Sequence, residues 1–150
     1  MVIQRIQTLY LIIAIALMTA FFFMPFGYTQ FTDAVTGSTV EEPLKGIMFI
    51  GLIIPISVCL LTLALAIFTF KSPSIQKLMV IISALLVGAC IGVVIYILSG
   101  GLIDENPEYT TRTLWGGGGL LLIATWCALG AAYHGISADQ RLLRSYDRIR

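Results

Sequence analysis

Uncharged apolar residues fill four stretches of this chain, and charged residues lie almost wholly between and beyond them. The stretches run from about Ile6 to Phe26, Ile47 to Phe70, Leu78 to Leu98 and Leu114 to Ile136, and none contains Asp, Glu, Lys or Arg. At 1.5 Å per residue, a helix of about 20 residues crosses a hydrocarbon layer roughly 30 Å thick. The pattern therefore predicts an all-α integral membrane protein, a four-helix transmembrane bundle over residues 1–136. The connections fit two hairpins of helices. Residues 27–46 and 99–113 join the members of each, and a tight turn, Lys71-Ser72-Pro73-Ser74-Ile75-Gln76-Lys77, links the two. Pro73 stops one helix and Ser74 can cap the next. In the first long loop, β-branched and aromatic residues around Thr36-Gly37-Ser38 suggest a short surface hairpin. Pro55 withholds a donor from the carbonyl of Gly51, which predicts a kink in the second span.

Beyond Ile136 the pattern changes. Ser137-Ala138-Asp139-Gln140 has the spacing of a capping box, which predicts a separate amphipathic helix over 137–150. Leu142, Leu143, Tyr146 and Ile149 would share one stripe. Arg141, Arg144, Arg148 and Arg150 would point elsewhere, the layout of a basic helix resting on an anionic leaflet.

Composition agrees with the pattern: of 150 residues, 58% are hydrophobic and 11% charged, against about 45–50% and 25% in soluble domains. The net charge of +1 matters less than its distribution. Arg5, Lys71, Lys77 and the arginines of the tail fall on one side of the spans, whereas the other side carries only Lys45 and Arg112 with most of the acids. By the positive-inside rule both termini are expected in the cytoplasm, with the membrane crossed four times. The first stretch ends in Phe22-Phe23-Met24-Pro25-Phe26 without a small-residue cleavage pattern and reads as a retained anchor.

Chemistry is sparse. Cys59, Cys90 and Cys127 each lie within a span and read as compact apolar packing. A coupled carrier would place an ionisable group within the bilayer, and here the candidate reduces to His134, beside Tyr133 at the inner end of span four. Ser57, Thr62, Ser83 and Thr125 read as hydroxyl glue between helices. Asp104-Glu105-Asn106-Pro107-Glu108 reads as a solvated acidic turn, because it lacks the spacing of a calcium loop. Small residues recur every fourth position at Ala84, Gly88 and Gly92, and again at Ala124, Ala128 and Ala132. Such ridges let backbones approach closely, either between spans three and four or between copies of the chain. Gly116-Gly117-Gly118-Gly119 would cost a helix roughly 4 kcal/mol relative to alanine. The run is therefore expected to be a bare-backbone groove that a neighbouring helix, lipid or small ligand fills, or a flexible outer end of span four. No catalytic residue, metal site, cofactor or nucleic-acid surface is expected.

Two terminal stretches, Ile3-Gln4-Arg5-Ile6-Gln7-Thr8-Leu9-Tyr10-Leu11 and Leu142-Leu143-Arg144-Ser145-Tyr146-Asp147-Arg148-Ile149-Arg150, resemble the signatures of the bacterial membrane family called domain of unknown function 4293. The resemblance implies a small inner-membrane protein of a Gram-negative bacterium and brings no activity with it. Both stretches fall on the cytoplasmic side, so Gln4, Arg5 and Gln7 are expected to meet the tail, with Asp147 as the partner of Arg5. The expected role is a non-enzymatic accessory or scaffold subunit, bound to membrane lipids and to another membrane protein or a second copy. The alternative is a small carrier or channel for a neutral or lipidic compound.

Overall fold

The computed structural model describes residues 2–33, 37–70, 72–100 and 109–147, and the side chains of 7–32, 37–70, 72–100 and 112–142. In chain order the described elements are α1 (Val2–Phe23), β1 (Pro25–Asp33), β2 (Thr39–Lys45), a 3-10 turn (Gly46–Met48), α2 (Ile50–Phe68), α3 (Pro73–Leu98), β3 (Tyr109–Trp115) and α4 (Gly119–Asp147). The molecule is mostly helical, but it also holds a three-stranded antiparallel sheet in the order β2-β1-β3, so the all-α expectation is corrected. Three helical segments are long and apolar enough to cross a membrane, Ile50–Phe68, Pro73–Leu98 and Gly119–Leu142, and the described apolar part of α1 is the shorter Gln7–Phe23.

Each helix buries one narrow stripe. Gln7, Leu11, Ala14, Met18 and Phe21 form that of α1; Leu52, Ile56, Cys59, Leu63 and Ala66 that of α2. Gln76, Val80, Ser83, Val87, Cys90, Val94 and Ile97 follow on α3, and Leu122, Thr125, Leu129, Ala132 and Ile136 on α4. Steps of three and four alternate along all four stripes, the spacing that lets helices supercoil left-handedly with knobs in holes. Each helix packs on two neighbours, giving the cyclic order α1-α2-α3-α4. Thr62 and Ser83 meet across α2 and α3, with their hydroxyl oxygens 2.8 Å apart. Ser57 and Thr125 instead donate to carbonyls of their own helices, those of Ile53 and Leu121, so the expected hydroxyl glue exists at one helix pair. Cys59 and Cys90 are buried and Cys127 faces outward, so the three thiols do not converge.

The sheet caps the end where α1 and α3 finish and α2 and α4 begin. Pro25 cannot extend α1, and the run from Phe26 to Thr32 is rich in aromatic and β-branched residues that favour a pleated strand. The first strand pairs with β2 from Thr32↔Thr39 to Pro25↔Lys45, with a register shift between Pro25 and Gly27. That irregularity surrounds Phe26, which is fully buried and lies 6.0 Å from the rings of both Phe21 and Phe49. The sheet is thus plugged into the top of the bundle by one aromatic ring. The expected hairpin is present, and Gly37 beside its turn has φ +66, a conformation glycine adopts without a steric penalty.

Three span boundaries move accordingly. Span one stops at Phe23 because β1 takes over Pro25 and Phe26, and span two starts at Ile50 after the 3-10 turn. Span four starts at Gly119, because Leu114 and Trp115 belong to β3. Pro55 therefore falls in the second turn of α2. The tail also differs: α4 runs unbroken from Gly119 to Asp147, so Ser137 is an interior helical residue and no separate helix starts there. A capping box acts where extended chain enters a helix, and nothing at 134–138 interrupts the helix already running. Gln140 turns its amide toward Ser74 Oγ at 3.4 Å instead.

Candidate functional site

The tetraglycine run is accounted for by the sheet. Gly116 N–H donates to Phe26 O at 2.8 Å and Gly118 N–H to Pro25 O at 3.1 Å, so the chain passing from β3 into α4 lies directly on the start of β1. A Cβ on Gly116 would sit 2.8 Å from Phe26 C, and one on Gly118 would sit 2.5 Å from Pro25 O. At Gly117 and Gly119 a Cβ would meet nothing within 4 Å. What lies against Gly116 and Gly118 is the protein's own β1 backbone, not a neighbouring helix. Gly27 is held similarly, with Leu98 Cδ2 at 2.6 Å and Leu114 O at 3.0 Å from its missing Cβ. Thr113 Oγ1 donates to Leu98 O at 2.7 Å, tying β3 to the end of α3.

The small-residue ridges divide between inside and outside. Ala84 lies half-buried where α3 meets α4, and its carbonyl accepts the Trp126 indole N–H at 3.0 Å. Gly88 and Gly92, on the same ridge, would have nothing within 4 Å of an added Cβ. On α4 the ridge rotates from exposed Ala124 through half-buried Ala128 to fully buried Ala132.

The opposite end of the bundle concentrates the polar chemistry. Gln7 is 4% exposed, its side chain lies 3.1 Å from the Cβ position of Gly135, and its amide nitrogen has no hydrogen-bond partner. Glycine at 135 is what lets α1 and α4 close around that amide. Gln7 thus meets α4 at Gly135, ahead of the tail residues from Ser137 onward that it was expected to meet. The side chains of Gln4, Arg5, Arg144 and Asp147, and all of Arg148 and Arg150, lie outside the described residues, and the Arg5 to Asp147 pairing with them.

Between the start of α3 and the last turns of α4 opens a recess of about 700 Å³. Lys77 faces Tyr133, His134, Ser137, Gln140 and Arg141 across it. The Lys77 ammonium rests 4.7 Å from the centre of the Tyr133 ring, a cation-π contact that fixes the charge at the mouth of the recess. Ser137 Oγ is buried and without a hydrogen-bond partner. A second, apolar groove of about 330 Å³ runs on from it along the same seam, bounded by Val80, Ala84, Leu85, Trp126, Leu129 and Gly130 and sharing Tyr133 with the recess. Sequence reasoning singled out Ala84, His134 and Arg141 without bringing them to one seam. The missing signal was Lys77 in the first turns of α3, which faces the later turns of its neighbour α4.

No curated protein matches the chain. The family model described as domain of unknown function (DUF4293) matches residues 3–149, nearly the whole length, and the chain belongs to that family.

Proposed function

We propose that the chain is a four-span protein of a bacterial inner membrane, with both termini in the cytoplasm, that serves as a non-catalytic accessory or scaffold subunit for another membrane protein. The reading rests on the bundle interior. Its four stripes are filled by apolar residues, Cys, Ser, Thr and Gln, with no Asp, Glu, Lys or Arg among the described residues. An interior without a charge offers no relay for protons or ions. It leaves the molecule to act through its outer surfaces, where Ile50, Leu61, Leu85 and Leu120 stay exposed at the bundle's flanks. The excess of Arg and Lys beside the termini and the α2–α3 turn supports the orientation. The sheet then faces the periplasm.

Purification in mild detergent at native expression, with mass spectrometry of what accompanies the chain, tests the role. A stoichiometric membrane-protein companion is expected. A lone chain would favour the second reading, a small carrier for a neutral or lipidic compound, which draws on the groove between α3 and α4.

A further inference from the structure

We propose that the seam between α3 and α4 is a binding site for one anionic phospholipid of the inner leaflet, its phosphate in the cationic recess and one acyl chain along the apolar groove. The inference rests on the four-span orientation given above but is independent of the accessory role.

Charge and shape select this occupant together. Lys77 and Arg141 bring two positive charges into the recess, and its described lining contains no carboxylate. Gln140 lines the same recess with an amide N–H that a phosphate oxygen can accept. A free anion would find its site complete there. The recess, however, continues through Tyr133 into a groove whose walls are almost wholly carbon. From Tyr133 to Trp126 is seven residues, about 10 Å along the helix, which suits the upper part of an acyl chain. Gly130 leaves the groove open, since a Cβ there would meet nothing within 4 Å. Trp126 is held across the seam by its bond to the Ala84 carbonyl and bounds the end of the groove remote from Lys77. The cation-π contact of Lys77 with Tyr133 places the charge where a headgroup passes into its tail.

The test uses the full-length chain in nanodiscs holding equal phosphatidylglycerol and phosphatidylcholine, with native mass spectrometry of the lipid that stays bound. Two cations near an anionic headgroup lead us to expect roughly tenfold enrichment of phosphatidylglycerol. Lys77→Gln combined with Arg141→Gln should bring the ratio close to one, and Gly130→Leu should lower retention of both lipids by filling the groove. Millimolar inorganic phosphate should leave the retained lipid in place. A wild-type ratio near one, an enrichment that survives the double substitution, full retention in Gly130→Leu, or displacement by phosphate alone would each overturn the site. Both substitution sets lie on the seam's surface, and thermal melting verifies that each variant folds. Orientation is read separately, by labelling Ser74→Cys with a membrane-impermeant maleimide in inverted vesicles against the wild-type background. Failure there would refute the proposed topology, whereas the nanodisc ratio, which has no sidedness, would still report on the seam.

Discussion

Alternate glycines of the run from Gly116 to Gly119 should differ sharply in what they tolerate. Alanine at Gly118 sets a methyl 2.5 Å from Pro25 O and 2.8 Å from Pro25 C. Both are backbone atoms of the central strand, which cannot swing aside like the end of a side chain. Reaching ordinary contact near 3.4 Å means separating the two segments by about 0.9 Å, enough to strain the bonds from Gly116 and Gly118 to Phe26 and Pro25. Overpacking of this kind costs about 1–3 kcal/mol, and each weakened hydrogen bond adds up to about 1 kcal/mol. Against that, replacing glycine reduces the freedom of the unfolded chain and returns about 0.4–1 kcal/mol. The net for Gly118→Ala, and likewise Gly116→Ala, is a loss of about 1–2 kcal/mol. At Gly117 and Gly119 the methyl meets open space and φ is not positive, so only the entropic gain remains. Thermal unfolding of the purified chain in detergent reads the contrast: a shift of about 2–4 °C per kcal/mol should separate the two pairs by at least about 3 °C. If Gly118→Ala melts with or above Gly119→Ala, the clasp between the glycine run and β1 is not what holds the sheet on the bundle.

Other contacts give sharp expectations. Thr62→Val and Ser83→Ala, combined in a double-mutant cycle by denaturant titration in mixed micelles, should show a coupling of about 0.6 kcal/mol, and additivity would deny the bond across α2 and α3. Gln7→Leu should stabilise the chain by about 1–2 kcal/mol, since it removes a buried amide nitrogen that lacks a partner; a drop in melting temperature would mean the amide is used. Thr113→Val keeps the shape of the side chain but removes its donation to Leu98 O. It should cost about 1 kcal/mol and raise amide exchange through β3, whereas unchanged exchange would show that the tie does no more than follow the strand.

The helical body was legible because hydrocarbon length is a demanding filter: α2 and α3 lie within or close to the stretches that charge-free runs marked. Which side of each helix faces inward was not legible, since apolar residues surround the helices on every side and leave no contrast to read. Four polar residues do sit on the buried stripes, although others such as Thr19 and Ser57 are exposed. The four, Gln7, Gln76, Ser83 and Thr125, lie where a packed interior tolerates polar groups better than lipid does. The third strand was hidden by its own composition. Leu114 and Trp115 extended the fourth apolar run, although Tyr109, Thr110, Thr111 and Thr113 before them favour a strand. The glycine run looked anomalous because its partner, the backbone at Pro25 and Phe26, sits about 90 positions earlier and comes near only once the sheet has formed. The capping box in the tail was a true local signal overridden by a helix already under way.

The order of the strands has a consequence for biogenesis. As the chain emerges, the strand after the first helix can zip to its hairpin partner at once, but its other side must wait roughly 80 residues for the third strand to be made. Throughout that interval a nascent intermediate shows a bare row of amides and carbonyls outside the bilayer, the template on which stray chains aggregate. A product truncated after α3 would keep that row exposed for good, and should be a ready substrate for quality-control proteases.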